Sequence, residues 1–342
     1  MLTLNRRAAL MIAAAATALT FSPAANAATN LRFILDWAFQ GQHAMFTLPA
    51  DDGTYEKLGL NVTIDRGAGS GDAVAKVASG AYDMGVADFY SMVRFNAQNP
   101  NNKLIGVMLV DDKSALAIEL MASSPIKTPQ QLNGKTIAAP VGDASRQLFP
   151  LFAKANNIDE KSIKWTNVSP ELREPLLLRG EADAITGHLT TVLLNFRNIN
   201  VKPSDIRTMP YANYGVNLLG HVLIVKPDYA KKNPDVVRNF IRGSVVGFNK
   251  MAKDPAGAAA SIKKRDPLSS VEIETERVKM SLEYRMVTDN VIKNGISNAD
   301  LKRIEQSLKD VAEPFGITTL PAVSEVYTDE YLPPRSEMKF ER

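Results

Sequence analysis

Apolar runs short enough to be strands alternate with stretches of helical periodicity, which restricts the chain to a few architectures. The runs LRFILDW, LNVTIDRG, YDMGVAD, KLIGVMLVD, LAIELMA, KTIAAPV, IKWTNV, ADAITGH and HVLIVK all lie between Leu31 and Lys226. Helical stretches at 72–79, 89–98, 145–156 and 170–179 separate most of them. Strand, helix, strand at this density predicts an α/β protein with mainly parallel sheets flanked by helices. Beyond Lys226 the pattern changes to long amphipathic helices, at 227–253 and 270–293, and a Pro-rich tail. By length the chain has room for about two domains.

An internal echo predicts how those domains relate. Gly80-Ala-Tyr-Asp83-Met opens a strand after a helix, and Gly180-Glu-Ala-Asp183-Ala does the same 100 residues later. Two lobes built alike follow from it. Open α/β sheets bind ligands beyond the carboxyl ends of their strands, so two facing lobes would hold a ligand in a cleft that closes by a hinge. The strand ends then form one group. Asp36-Trp37 follows the first strand, Gly67 to Asp72 (with Ser70 and Gly71) the second, and Asp88-Phe89-Tyr90 the third. In the second half, Asp143, Ser145 and Arg146 sit at a helix start, and Gly187-His188 ends a strand. Helix starts leave backbone N–H groups free for an acceptor, each worth about 0.3–1 kcal/mol to a negative group. Taken singly, Ser70, Asp72, Asp143 and Ser145 read as N-caps; their collection on one side of the sheets points to a cleft.

The first 27 residues set the compartment. Arg6 and Arg7 precede an apolar stretch broken by only two threonines, and Ala25-Asn26-Ala27 ends it. That is the pattern of a secretory signal peptide cleaved after Ala27, too short for a membrane span of roughly 20 residues. The residues around the twin arginines fit a Tat signal poorly and favour Sec. Without Arg6 and Arg7 the chain has 38 basic and 37 acidic residues, a net charge of +1, so no nucleic-acid partner is expected. It has no cysteine, hence no lipoprotein anchor, disulfide framework or thiolate nucleophile. A soluble periplasmic protein without a membrane anchor is expected.

"LDW" followed by a histidine, "GTYEKLGLNVTI", "VASGAYDMGVADF", "TPQQLNGKTIA", "GEADAI", "KKNPDVVRNFIRG" and "VYTDEYLPP" carry a resemblance. Over Leu31 to Leu332 the chain resembles the substrate-binding proteins of ABC importers, which also include nitrate- and sulfonate-binding members. It is most similar to their thiamin-pyrimidine branch, which contains pyrimidine-precursor-binding proteins and a fungal pyrimidine synthase. The resemblance implies a type II periplasmic-binding fold with a discontinuous first lobe: 28–115 in lobe 1, 116–219 in lobe 2, and 220–342 returning to lobe 1, with crossings near Ala115 and Leu219. It also implies that Trp37 stacks on a flat ligand ring and that Asp36 accepts from ligand N–H groups, as an aromatic face and a carboxylate can. The alternative for Trp37 is packing in the core. Together with the strand ends, this gives a candidate ligand set of Asp36, Trp37, His43, Ser70, Gly71, Asp72, Asp88, Phe89, Tyr90, Asp143, Ser145, Arg146, His188 and Tyr214.

Departures from the family pattern keep other ligands open. Phe39, Gln40 and Met45 stand where many relatives have Pro-Asn and Gly, which weakens the case for an aminopyrimidine. Arg146, with Arg66 near the first loop, offers a partner for a carboxylate or sulfonate, although Arg66 reads as a solvated surface charge. Synthase chemistry is excluded: its substrate histidine aligns with Ser91, its lysine with Ala87, and its cysteine motif with Gly215-Val-Asn-Leu-Leu219. The three histidines, His43, His188 and His221, are far apart in sequence and lack metal-site spacing. His43 reads as a structural or cleft-edge residue, and His221 as packing near the hinge. No nucleophile elbow or Walker loop occurs. The expected protein is therefore not an enzyme and needs no cofactor or metal. It is a solute-binding protein, monomeric as is usual for the family, that delivers a small flat ligand, such as a thiamin pyrimidine precursor, to the transmembrane subunits of an ABC permease. A small organic acid or sulfonate as ligand, and a sensor kinase as partner, are the alternatives.

Overall fold

The computed structural model describes residues 28–341; the expected signal peptide lies outside them. Ten strands form among these residues: β1 (Thr29–Ile34), β2 (Leu60–Asp65), β3 (Met84–Asp88), β4 (Ile105–Leu109), β5 (Leu116–Met121), β6 (Thr136–Ala139), β7 (Lys164–Asn167), β8 (Ala184–His188), β9 (Ile206–Pro210) and β10 (His221–Val225). They make two five-stranded sheets, ordered β2-β1-β3-β10-β4 and β7-β6-β8-β5-β9. Each sheet repeats the other's topology, and flanking helices give each its own lobe.

The sheets are mixed, not mainly parallel as expected. In each, one strand runs against the other four: β10 pairs antiparallel with β3 and β4, and β5 with β8 and β9. The reversed strands are the two that arrive from the opposite sheet. β3 and β8 end at the cleft, and β10 and β5 begin there, pairing His221 with Asp88 and Leu116 with His188. A chain that crosses at the cleft must enter the next sheet at its carboxyl edge, so it runs opposite to the strands that end there.

The 100-residue echo is a structural equivalence. Asp83 accepts from Arg32 N at 2.8 Å and its own N–H donates to Arg32 O; Asp183 does both to Thr136, with the side-chain bond also at 2.8 Å. Gly80 and Gly180 take positive φ, +81° and +71°, in the turns before β3 and β8, a conformation that favours glycine.

Some sequence expectations fail locally, and the helix expected at 270–293 breaks into Val271–Ser281, a π-helical turn Leu282–Met286 and Asp289–Asn294, which Thr288 caps anew. β9, IRTMP, lacks an apolar run; it survives as an edge strand, the one sheet position that tolerates its proline. The helix expected at 227–253 breaks into Pro227–Lys232 and Pro234–Lys253, because Pro234 disfavours helical geometry at Asn233 and starts a new helix itself. The longer helix seals lobe 1: Phe240 packs on Phe33 and Tyr55 with ring centroids 4.6 and 5.1 Å apart.

Candidate ligand-binding cleft

Loops leaving the carboxyl ends of both sheets wall the space between the lobes. β1 stops at Ile34, and the next residues are tied to the loop after β2. Leu35 N donates to Asp65 O at 2.9 Å, Gly69 N to Asp36 O at 2.8 Å, and Gly67 N to Trp37 O at 3.0 Å. A Cβ on Gly67 would lie 2.1 Å from Leu35 O, so only glycine permits this approach.

Two histidines clasp the Asp36 carboxylate. His43 Nε2 is 3.0 Å from Oδ1, and His221 Nε2 is 3.1 Å from Oδ2. His221 reaches Asp111 through Nδ1 at 2.6 Å, where Arg285 also pairs. The His188 ring lies 4.9 Å from the His221 ring. All three histidines of the chain thus meet around one carboxylate. This corrects the reading of His221 as hinge packing: β8 ends and β10 begins at the same edge, which sequence distance conceals. Among the described residues no group of His, Asp or Glu is arranged to hold a metal ion.

Burial and charge set the protonation of this cluster. Burial disfavours the imidazolium of His221, but Asp36 and Asp111 outweigh it and push its pKa up to about 10. Burial likewise opposes the Asp36 anion, yet the His221 charge 3.1 Å away and the hydrogen bond with His43 hold it well below the usual carboxylate range. His188 is driven well below its ordinary 6.5, first by burial and then by His221. Burial lifts Asp88 to about 6. A histidine with a raised folded pKa stabilises the fold fully below its unfolded value and loses that contribution as pH climbs through the folded value. The melting temperature should therefore fall between roughly pH 6.5 and pH 10. In His221→Gln that alkaline decline should flatten; thermal denaturation across the range checks it, and an unchanged slope would contradict the ion pair.

Lobe 2 meets Trp37 with a cation. Arg173 lies over the Trp37 ring, 5.0 Å from its centroid. Its guanidinium binds Glu174 at 2.7 Å, Asp143 at 3.4 Å and Thr186 O at 3.1 Å. Asp143 also caps the Ala144–Gln147 helix and accepts from Thr186 Oγ1 at 3.0 Å. Behind them Glu119 is buried, with neither carboxylate oxygen hydrogen-bonded among the described residues, and burial raises its pKa well above the ordinary value.

The lobes are shut. Gly71 N donates to Gly142 O at 3.0 Å across the cleft, Thr191 Oγ1 donates to Gln40 Oε1 at 3.0 Å, and Arg277 donates to Thr191 O at 3.0 Å. Between Asp36, Trp37, Gln42, Gly69, Ser70, Asp143, Ala144, Arg173, His188 and Thr191 about 20 Å³ remains, room for about one water. A larger ligand enters only when the lobes part.

Of the candidate residues, Asp36, Trp37, Ser70, Asp143 and His188 line this inner space, and His43 stands directly behind Asp36. Ser70 is no N-cap: its hydroxyl accepts from Asp88 N at 2.9 Å, and Gly69 holds the cap position. Asp88 caps the Phe89–Gln98 helix, while Phe89 and Tyr90 lie in the core with their rings edge to face. Ser145 is buried and donates to Gly187 O at 2.7 Å. Asp72 pairs with Lys76 near the surface, and Tyr214 packs on Phe152. Gly71 and Arg146 line a different cavity. Arg66 pairs with Glu171 across the lobes, both largely exposed. Sequence reasoning missed Gln42, Arg173 and Thr191. A signal existed for Arg173, which starts the helix after the strand IKWTNV, a strand end left out of the grouping.

Known proteins share this architecture. A Bordetella bronchiseptica RB50 protein of known structure superposes with a TM-score of 0.72 at 16% identity, covering 89% of this chain and 95% of its own. The alkanesulfonate-binding protein SsuA of Xanthomonas axonopodis pv. citri, solved bound to MOPS, gives a TM-score of 0.67 at 15% identity, over 88% of this chain and 98% of its own. The fold is the type II periplasmic-binding fold. A family model described as NMT1/THI5 like matches residues 40–258, and the chain belongs to that family. It is also similar to the formylaminopyrimidine-binding protein of Halalkalibacterium halodurans, at 21% identity over 231 residues, 67% of this chain and 68% of that protein.

Proposed function

We propose that the protein captures a small, flat, N–H-rich heterocycle of the aminopyrimidine type between its lobes and delivers it, closed, to an ABC permease outside the cytoplasm. The observation that carries this reading is the sign of the inner cleft. Asp36, Asp143 and Glu174 supply carboxylate oxygens around Trp37, against a single guanidinium that reaches the ring. Three carboxylates stand against two cations, Arg173 and the His221 imidazolium, a surplus of negative charge that favours a ligand bearing N–H groups over an anion. Arg173 is itself a planar N–H-rich group on the Trp37 face, the geometry such a ligand would share. The likeness to a formylaminopyrimidine-binding protein agrees in chemistry. The first lobe, in this reading, comprises 28–115 and 220–342, and the second 116–219.

A micromolar dissociation constant corresponds to about 8 kcal/mol, within reach of one stacked ring and a few buried hydrogen bonds. Isothermal calorimetry with formylaminopyrimidine should give saturable binding, weakened about 100-fold in Trp37→Ala and at least as much in Asp36→Asn. Equal affinity in both variants would sink the assignment of the platform.

A further inference from the structure

The shut cleft holds a second cavity, outside the seam that Gly69 and Gly71 make with Gly142, and the reading around Asp36 and Trp37 makes no use of it. It measures about 330 Å³, within the range of small-ligand sites. One wall is a single face of the Phe89–Gln98 helix, where Ser91, Arg94 and Phe95 stand at helical spacing. The opposite wall comes from lobe 2 and carries Arg146 and Trp165.

Three features of this cavity lack an internal explanation. The Ser91 hydroxyl is 2% exposed and has no hydrogen-bond partner among the described residues, an unfavourable state for a buried polar group. Arg94 engages the protein only through one nitrogen, to Gln147 O across the cleft. The Arg146 guanidinium lies 4.8 Å above the Trp165 ring and likewise uses one nitrogen, to Ala139 O at 3.0 Å and to Asn167. The remaining N–H groups of both guanidiniums have no partner among the described residues. Glu160 is the one acid among the residues that line the cavity, against two arginines.

We propose that this outer cavity binds a small organic anion, a carboxylate or sulfonate on an aromatic or apolar body. The anionic oxygens take hydrogen bonds from Arg94, Arg146 and the Ser91 hydroxyl, and the body rests against Phe95 and Trp165. Each lobe supplies one arginine, so the site is whole only when the lobes are shut, and an occupant favours the shut state by its differential affinity.

The chain has two tryptophans, so Trp37→Phe leaves Trp165 as the sole indole, inside the proposed site. Benzenesulfonate titrated into that variant should change its emission saturably with a dissociation constant below about 1 mM, and benzyl alcohol should bind at least ~10-fold more weakly. Arg94→Gln and Arg146→Gln in the same background should each weaken benzenesulfonate at least ~10-fold, and Ser91→Ala, which leaves the packing intact, about 5-fold. No saturable change up to about 10 mM, equal binding of benzyl alcohol, or unchanged affinity in all three variants overturns the proposal. So does calorimetry in which wild type binds benzenesulfonate but Asp36→Asn does not, because the anion then sits in the inner cleft. Failure of the pyrimidine reading leaves the site untouched, since that reading is tested with a different ligand.

Discussion

Arg173→Leu should fold into a protein about 3–5 kcal/mol less stable, with no measurable affinity for a ligand of the inner cleft. The arginine is 1% exposed and is the cation on which lobe 2 builds its side of the cleft. Glu174 at 2.7 Å and Asp143 at 3.4 Å depend on it, and Glu119 lies within its electrostatic reach. Deleting one partner of a buried pair strands the other charge without water, which is why the loss exceeds the worth of the contact itself. The leucine also gives up the cation–π contact with Trp37, worth about 2 kcal/mol when desolvated. Against a total stability of roughly 5–15 kcal/mol, such a loss should lower the melting temperature by about 10 °C. Urea unfolding gives the free energy. The double variant Arg173→Leu, Glu174→Gln should regain part of it, because one stranded carboxylate is then neutral. A single variant as stable as wild type would show that water or rearrangement already screens the cluster.

The same cluster marks the limit of what the sequence disclosed. The two lobes, their strand-end loops and the equivalence of Asp83 and Asp183 were legible because they rest on local signals: periodicity, glycine before a strand, an acid at its first turn. The reversal of β5 and β10 was not. Strand direction is decided by where the chain crosses, and neither LAIELMA nor HVLIVK carries that information. Asp36 and Trp37 were found because a motif points to them. The clasp of His43 and His221 on Asp36 joins positions 178 residues apart through the sheet order, and an isolated histidine in an apolar run gives no hint of a buried carboxylate beside it. Arg173 was obscured differently: in "PELREP" it looks like an ordinary exposed helix residue, since a solvated arginine and one that anchors a cleft have the same local sequence.

Gly69→Ala should weaken ligand binding by about 100-fold or more, roughly 2.7 kcal/mol, while leaving each lobe folded. Gly69 stands at φ +130° on the seam, and a Cβ there would lie 2.2 Å from the backbone C and O of Gly142 in the opposite lobe. Carbon atoms need about 3.5 Å or more, so the lobes would have to stay parted by about 1 Å, enough to break the bond from Gly71 N to Gly142 O. Backbone cannot yield as a side chain can. Gly142→Ala is the graded companion: its Cβ would meet Asp72 N at 3.1 Å and Ala68 O at 3.3 Å, a contact that a few tenths of an ångström relieve, so its effect should be smaller. Gly80→Ala isolates backbone strain, since φ is +81° there but nothing lies within 4 Å of the added carbon. It should lose about 1 kcal/mol of stability or more and keep its affinity. Calorimetry gives the affinities, and small-angle scattering reads closure directly as compaction on adding ligand. The ordering Gly69→Ala, then Gly142→Ala, then Gly80→Ala in loss of binding is what a steric seam between lobes requires. Undiminished affinity in Gly69→Ala, or an equal loss in Gly80→Ala, would mean that ligand capture does not depend on bringing these two loops into contact.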